Sequence, residues 1–389
     1  MAVFIHAMVV FALLTVSLPG LGVGSVYAFQ TARVPSRPQE PKAPYPYDEE
    51  EVVYHNEKDR VQLAGTLTLP RSKRPFPAVL LITGSGPQDR NESLLGHKPF
   101  LVLADHLTRL GIAVLRVDDR GTFKSTGNFN EATSEDFAAD ALAGVEYLKT
   151  RREIAPKQIG LIGHSEGGLI APLLAARSGD IAFIVMMAGP GLSGEQILYR
   201  QADMISRASG VSDELIALNR GAQERMFAII KQEKDSVIAE QRIREEAKIF
   251  REAAVGTRAE GNEEQQRAVN LISAAIEVQA KLVVKPWFRF FLTYDPRSAL
   301  MKVRCPVLAI NGEKDLQVPA EENLTAIRQA LEAGGNKDYT TVSLPNLNHL
   351  FQTCRTGALS EYMQIEETIS PAALETISKW ILKRTTIVN

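Results

Sequence analysis

The chain has 389 residues, of which 45% are hydrophobic and 23% are charged, and its net charge is −2. This composition is ordinary for a globular protein, and the length suits one large domain or two smaller ones. A net charge so close to zero excludes the strongly basic surface that nucleic-acid-binding proteins present. We therefore expect no nucleic-acid partner.

The first 28 residues are typical of an export signal. Residues 3–18 are apolar apart from three polar positions, and small residues then lead to a V-x-A motif that ends at Ala28. This pattern predicts a signal peptide at residues 1–28, although the segment lacks a basic start. An uncleaved membrane anchor is the alternative, for which the apolar stretch is short. We expect an exported protein, periplasmic or extracellular, with no stable membrane insertion after cleavage.

Residues 29–47 follow as a proline-rich segment, with prolines at positions 35, 38, 41, 44 and 46. Such a segment favours extended backbone and carries no core-forming pattern, so it is predicted to be a linker.

Strands and helices then alternate up to residue 190, the predicted first part of a core that begins at residue 48. A hairpin comes first, with strands at residues 50–54 and 61–70. Further strands are predicted at 77–83, 112–117, 158–163 and 181–187, and helices at 100–110 and 134–150, the latter with Ser134 as its N-cap. This alternation predicts a mostly parallel sheet with helices on both faces and antiparallel strands at one edge.

Residues 191–300 have only helical patterning and are predicted to form a cap over the C-terminal edge of the sheet, since their apolar faces must be buried. The core resumes over 301–389, with strands at 306–311 and 339–344 and helices at 320–333 and 371–382. An aromatic cluster ends the cap, and we expect most of its members in the core and one or two in an acyl pocket. Its members are Trp287, Phe288, Phe290, Phe291 and Tyr294.

The sequence G-x-S-x-G at residues 163–167 is the strongest motif. Apolar residues precede it and a small, apolar run follows it, which predicts a strand, a sharp turn and a helix. Such a turn lifts the hydroxyl of Ser165 out of the sheet at a helix N-terminus, where backbone N–H groups face a developing negative charge.

A serine nucleophile needs a base, and the chain has six histidines. His349 follows the last predicted strand and therefore lies at the same sheet edge as Ser165. His97 lies in a loop and is not excluded by position alone. The others are placed elsewhere: His6 in the signal segment, His55 in the hairpin, His106 on a helix, and His164 pointing away from the hydroxyl.

The imidazole needs a carboxylate to fix its tautomer. Asp315 follows the strand at 306–311 and is the first candidate, with Glu313 as the alternative. The chain order Ser165, Asp315, His349 is the order of one class of serine triad.

The tetrahedral oxyanion needs two donors. One is predicted to be the backbone N–H of Glu166, directly after the nucleophile. The other should come from the glycine-containing loop after the strand at 77–83, where the N–H of Ser85 is the first candidate and that of Gly86 the second.

Several segments together resemble the α/β-hydrolases, in particular bacterial carboxylesterases with a large helical cap, related to the serine aminopeptidase and dienelactone hydrolase-like groups. These segments are residues 83–91, 96–100, 118–121, the turn at 163–168, 312–318 and 348–349. The resemblance implies an α/β-hydrolase fold, with a mostly parallel eight-stranded sheet and a helical cap insertion, and an enzyme that needs no cofactor.

One departure from the family pattern stands out. Members usually show D-R-G-x-G-x-S, whereas Phe123 here occupies a position where glycine is common. We expect Asp119 and Arg120 in this motif to anchor their loop as an ion pair rather than to react. The sequence contains no cluster of histidine, cysteine and carboxylate residues that would suggest a metal site.

We therefore predict a serine carboxylesterase that hydrolyses small-molecule esters through an acyl-enzyme. An aminopeptidase or acyl-peptide hydrolase with the same triad is the alternative, and Glu166 or an acid of the cap could then hold the substrate amine. A catalytically silent binding module is the non-enzyme alternative. The two cysteines, Cys305 and Cys354, are expected to be free, because topology places them at opposite ends of the sheet.

Overall fold

The computed structural model describes residues 35–72, 74–256 and 263–385. The predicted signal peptide and the first residues of the predicted linker lie outside these ranges.

Eight strands form one sheet in the order β1-β2-β4-β3-β5-β6-β7-β8. β2 pairs in antiparallel fashion with β1 and β4, and the other pairs are parallel. The predicted mostly parallel sheet with an antiparallel hairpin at one edge is thus confirmed. The strands are β1 Tyr47–Asn56, β2 Val61–Pro70, β3 Phe76–Ile82, β4 Ala113–Val117, β5 Ile154–His164, β6 Ile184–Met187, β7 Val307–Gly312 and β8 Tyr339–Leu344.

Helices cover both faces of the sheet. In the core they are α1 Pro99–Arg109, α2 Ser134–Thr150, α3 Glu166–Ala175, α10 Ala320–Ala333, α11 Leu359–Tyr362 and α12 Pro371–Leu382, with a 3₁₀ turn at Phe129–Glu131. Leu80 of β3 packs into the cluster that contains α2 and α3, whereas Val79 and Leu81 pack into the cluster that contains α1 and α12. Neighbouring residues of a strand point to opposite faces, which explains the continuous apolar run of β3.

The described residues between β6 and β7 are mainly helical, as predicted. Its described helices are α4 Gly194–Ala208, α5 Asp213–Gln232, α6 Ser236–Gly256, α7 Glu263–Val283, α8 Pro286–Thr293 and α9 Arg297–Leu300. Their apolar faces join the core cluster on the α2 and α3 side of the sheet. Within the described part of the chain, no helix is both long and apolar enough to cross a membrane.

Two predicted boundaries are wrong. Thr133, not Ser134, is the N-cap of α2, and its backbone N–H donates to the Asp136 carboxylate at 2.7 Å. The last core strand before the cap begins at Ile184 rather than at residue 181, because only Ile184 onward pairs in register with both β5 and β7.

The described part of the proline-rich segment is fastened to the body of the protein. The Arg37 guanidinium donates to the carbonyl oxygens of Met363 and Ile365, each at 2.9 Å. The Gln39 side chain donates to the carbonyl of Ile369 at 2.7 Å. These hydrogen bonds come from side chains, so the proline pattern, which bears on backbone conformation alone, does not reveal them.

Both cysteines are free and half-buried, as predicted. Burial raises the pKa of the Cys305 thiol to about 11, so this thiol stays protonated at neutral pH.

The strand that leads to the G-x-S-x-G turn has no room for a side chain at Gly160. A Cβ there would lie 2.2 Å from the ring of the buried Phe183. Gly160→Ala should therefore destabilise the fold by about 1–3 kcal/mol, the usual cost of overpacking. Gly179→Ala is the matched control, since nothing lies within 4 Å of its Cβ position. Thermal unfolding checks the prediction, and equal melting temperatures for the two variants would contradict it.

Candidate active site

Ser165 occupies a strained turn between β5 and α3. Its backbone has φ 53° and ψ −115°, a conformation that costs a non-glycine residue of the order of 1–3 kcal/mol. The flanking glycines allow it: a Cβ on Gly163 would lie 1.9 Å from the Gly167 carbonyl oxygen, and a Cβ on Gly167 would lie 2.1 Å from that of Ile82. The predicted strand, turn and helix around the serine are thus present, with Ser165 at the N-terminus of α3.

His349 and Asp315 are in contact. The Nδ1 atom of His349 lies 2.7 Å from Oδ2 of Asp315, which is fully buried. Oδ1 of Asp315 accepts hydrogen bonds from the backbone N–H groups of Gln317 and Val318, at 2.8 and 2.9 Å. These bonds fix the carboxylate, and the carboxylate in turn orients the imidazole. Glu313, the alternative acid, is exposed and accepts a bond from the Asn346 N–H instead.

The predicted oxyanion loop lies beside the nucleophile. A Cβ built on Gly84 would lie 3.3 Å from the Cβ of Ser165, and Gly86 has a φ of 98°, which favours glycine. Ser85 and Gly86 line the same cavity as Ser165 and His349. The loop is therefore in position to supply a donor, and the choice between the Ser85 and Gly86 N–H groups stays a prediction, as does the role of the Glu166 N–H.

Two carboxylates, the buried Glu92 and the half-buried Asp119, hold this loop from two sides. Oε1 of Glu92 accepts the N–H of Gly84 at 2.7 Å. Asp119 accepts the hydroxyl of Thr83 at 2.7 Å and the N–H of Gln88 at 2.9 Å. Burial raises the pKa of Asp119 well above its ordinary value. Each acid thus accepts hydrogen bonds from donors that belong to the loop itself.

The expected ion pair between Asp119 and Arg120 is wrong. Arg120 instead pairs with Asp140 at 2.6 Å and with Asp59 at 2.8 Å. The two neighbours point in different directions, so Asp119 anchors the oxyanion loop while Arg120 ties this motif to α2 and to the β1–β2 turn.

His164 points away from the hydroxyl, as predicted, and is engaged on both ring nitrogens. Its Nδ1 lies 2.9 Å from Oε1 of Glu92, and its Nε2 lies 2.9 Å from the backbone oxygen of His349. Sequence reasoning missed Glu92, a lone acid in a polar loop. The one available signal was its position directly after residues 83–91, a segment that carries the family resemblance.

His97, left open by position, does not line the cavity. Its ring bonds the Thr368 hydroxyl and the Tyr362 carbonyl oxygen, each at 3.0 Å, and burial lowers its pKa. These contacts join the loop before α1 to the segment after α11, which is a structural role.

A cavity of about 470 Å³ opens above Ser165. Core loops and the cap both contribute to its wall, and Trp287 and Phe288 are the two members of the predicted aromatic cluster that reach it. Its apolar lining includes Leu94, Leu95, Phe129, Leu282, Val283 and Leu350. The cavity therefore suits an apolar substituent next to the nucleophile.

Phe123 lies at the mouth of this cavity. Its side chain is 65% exposed and its φ is 45°, the backbone region that glycine adopts freely. The loop thus keeps the conformation that the family's common glycine permits, at the cost of strain, and places an aromatic ring on the rim.

Glu166 does not line the cavity. Its Oε1 accepts the hydroxyl of Ser134 at 2.6 Å and the indole N–H of Trp287 at 2.8 Å. The carboxylate therefore connects the nucleophile turn to α2 and to the cap, and it is not placed to hold the amine of a substrate.

The residues that the structure describes contain no group of three or more histidine, cysteine or carboxylate side chains placed to hold a metal ion.

The sheet order and the turn that carries Ser165 define an α/β-hydrolase, and the serine in that turn places it among the serine hydrolases. The chain belongs to the X-Pro dipeptidyl-peptidase (S15) family, whose model matches residues 59–350. The predicted superfamily resemblance is thus confirmed.

Two curated relatives are similar over part of their length. Esterase EstD from Thermotoga maritima is 24% identical over 322 residues, which are 82% of this chain and 66% of EstD. The putative hydrolase YtaP from Bacillus subtilis is 34% identical over 125 residues, which are 27% of this chain and 41% of YtaP. The aligned part is in both cases less than two thirds of the relative.

Among solved structures, hypothetical protein PA2218 from Pseudomonas aeruginosa has a TM-score of 0.53 at 15% identity, over 94% of this chain and 100% of that one. At this identity the similarity supports the fold alone.

Burial raises the pKa of Glu166, while its bonds to Ser134 and Trp287 act in the opposite direction. The folded state therefore holds this proton at pH values where the unfolded chain has lost it. Stability should fall with rising pH above the ordinary pKa of glutamate, by up to about 1.4 kcal/mol per pH unit, until the raised pKa is passed.

Glu166→Gln removes this proton and keeps one acceptor oxygen. The difference in unfolding free energy between wild type and variant, measured by urea unfolding from pH 4 to about 8, should shift in favour of the variant as pH rises. A difference that is constant with pH would contradict a raised pKa.

Proposed function

We propose that the protein is an exported serine carboxylesterase that hydrolyses esters with an apolar acyl or alcohol group. The observation that carries the proposal is the contact of 2.7 Å between His349 and Asp315. His349 lines the same cavity as Ser165. The name of EstD, an esterase, is consistent with it. Export rests on the sequence pattern of residues 1–28.

The proposed chemistry follows from the roles of these groups. His349 accepts the proton of Ser165 as Oγ attacks the ester carbonyl, and Asp315 stabilises the imidazolium. The N–H groups of Glu166 and of Ser85 or Gly86 bind the oxyanion. The alcohol leaves with the proton from His349, and a water activated by His349 then releases the acid from Ser165.

A peptidase is the second candidate, because the matching family is named for an X-Pro dipeptidyl-peptidase. An aminopeptidase-type substrate needs a carboxylate for its free amine. Among the described residues that line the cavity, Asp89 and Glu92 are the acids. Asp89 already accepts bonds from Ser93 and the Asn91 N–H, and Glu92 from Gly84 and His164. These bonds engage both oxygens of Asp89 but only Oε1 of Glu92, and Oε2 of Glu92 is buried without a hydrogen-bond partner. Parallel assays on aminoacyl anilides and simple esters therefore decide between the two candidates.

A catalytically silent binding module is disfavoured by the hydrogen bonds that orient Asp315 and His349, since a ligand pocket has no need of them. Labelling of the folded protein with a fluorophosphonate distinguishes the two, because the probe reacts only with an activated serine.

Ser165→Ala should abolish ester hydrolysis, because it removes the hydroxyl that is proposed to form the acyl-enzyme. We expect kcat on a p-nitrophenyl ester to fall by about 10⁴-fold or more, and fluorophosphonate labelling to disappear. Ser178→Ala, outside the cavity, is the control and should keep wild-type activity. Hydrolysis by Ser165→Ala within twofold of wild type would exclude Ser165 as the nucleophile.

Phe123→Asn should weaken the binding of a long-chain ester without lowering the stability of the fold. Asparagine tolerates positive φ, so the fold should lose no stability, while the apolar contact at the rim is removed. We expect KM for a p-nitrophenyl octanoate to rise by about five- to tenfold, in line with the burial of a few methylene groups, and KM for the acetate to stay within twofold.

Val278→Asn is the matched control, since Val278 is 72% exposed on α7 and does not line the cavity. Equal effects of Phe123→Asn on both esters would contradict a substrate contact at the rim.

A further inference from the structure

Glu92 lies inside the protein, and one of its carboxylate oxygens joins two separate segments. The residue is 3% exposed. Its Oε1 accepts the N–H of Gly84 at 2.7 Å and contacts Nδ1 of His164 at 2.9 Å. Gly84 precedes the predicted oxyanion donor Ser85, and His164 precedes the nucleophile. The carboxylate therefore connects the oxyanion loop to the nucleophile turn.

The protonation of His164 follows from its partners. Its Nε2 lies 2.9 Å from the backbone oxygen of His349, and a carbonyl oxygen can only accept, so Nε2 carries a proton. A second proton lies between Nδ1 and Glu92, and because Oε1 of Glu92 also accepts the Gly84 N–H, that proton belongs on the ring. The pair is an imidazolium and a carboxylate, both buried.

The pKa of His164 agrees with this assignment. Burial lowers the pKa, but the charge and hydrogen bond of Glu92, the backbone oxygen of His349 and the charge of Asp315 together raise it by more, so that the net shift is upward.

The ion pair contacts each of the three segments on which the proposed reaction depends. The Nε2 bond holds the backbone of His349, whose ring centroid lies 4.9 Å from that of His164. The Oε1 bond holds Gly84, and the ring itself is attached one residue before Ser165. The proposed base, oxyanion loop and nucleophile are thus all connected to the Glu92–His164 pair. This pair makes no hydrogen bond to the hydroxyl of Ser165.

We propose that Glu92 and His164 act as one positioning unit, which sets the distances among Ser165, His349 and the oxyanion loop and thereby determines kcat rather than substrate binding. The proposal rests on the proposed serine esterase function. Displacement of a catalytic group by about 1 Å can lower the rate by about 10²-fold. Loss of Glu92 detaches the loop at Gly84, and loss of His164 detaches both that loop and the backbone of His349 from the turn at Ser165.

The test is a double-mutant cycle on the full chain with Glu92→Gln, His164→Gln and the double variant. Steady-state kinetics on a p-nitrophenyl ester should give, for each single variant, a kcat lowered by about 10²-fold with KM within about threefold. The double variant should be no slower than the slower single variant, because residues that act as one unit are not additive. The double variant also removes both charges, so it folds even if an unpaired charge prevents folding of a single variant.

The second-order rate of fluorophosphonate labelling supplies an independent readout of Ser165 in each folded variant, and it should fall in parallel with kcat. Glu92→Asp, which keeps the charge, should recover part of the loss. His106→Gln is the control, since His106 bonds Ser378 outside the cavity. It should lower the melting temperature and leave kcat within twofold.

Loss of stability in Glu92→Gln and His164→Gln with kcat within twofold of wild type would assign the pair a purely structural role and overturn the proposal. Multiplied losses in the double variant would show two independent residues and would also overturn it. Failure of the proposed esterase function has a different signature, because wild-type protein would then show neither hydrolysis nor labelling at Ser165.

Discussion

The positive φ of Ser165 is the constraint on which the rest of the site depends. The turn keeps this strained backbone only because Gly163 and Gly167 let the start of α3 pack directly on the end of β5 and on the loop after β3. A side chain at either position would separate helix from sheet. Strain at this turn is therefore stabilised by tertiary packing, and the same packing brings the predicted oxyanion loop, at Gly84, close to Ser165.

Near this turn, two carboxylates accept hydrogen bonds from neutral donors. Glu166 is buried and Asp119 half-buried near the turn at Ser165. Glu166 accepts hydrogen bonds from a hydroxyl and an indole N–H, and Asp119 from a hydroxyl and a backbone N–H, rather than from lysine or arginine. Burial raises the pKa of each, which lowers the amount of negative charge beside Ser165. Glu92 is different because it has a cationic partner in His164. Burial thus limits the negative charge of Glu166 and Asp119, and the cationic His164 compensates the negative charge of Glu92.

The sequence was sufficient for the sheet, the turn and the pairing of His349 with Asp315, because strand ends of a parallel sheet share one edge and chain order assigns the loops. It was insufficient for contacts between side chains far apart in the chain. Glu92 and His164 are 72 positions apart in the sequence, and Arg120 and Asp59 are 61 positions apart. No periodicity or spacing encodes such a contact. Ser134 illustrates the same limit, since its hydroxyl matched a helix cap but donates to Glu166.

The cap is joined to the site around Ser165 by a hydrogen bond that its sequence pattern does not reveal. Trp287 both lines the cavity and donates its indole N–H to Glu166, the residue that follows the nucleophile. A change in the cap that moves this ring must either break a bond to a buried carboxylate or shift the start of α3. The position of the cap and the geometry of the turn at Ser165 are therefore coupled, and substitutions in the cavity wall disturb this turn least at residues that lack such a bond. Phe123 is one of them, because it reaches the cavity from a strained loop of the core and is largely exposed.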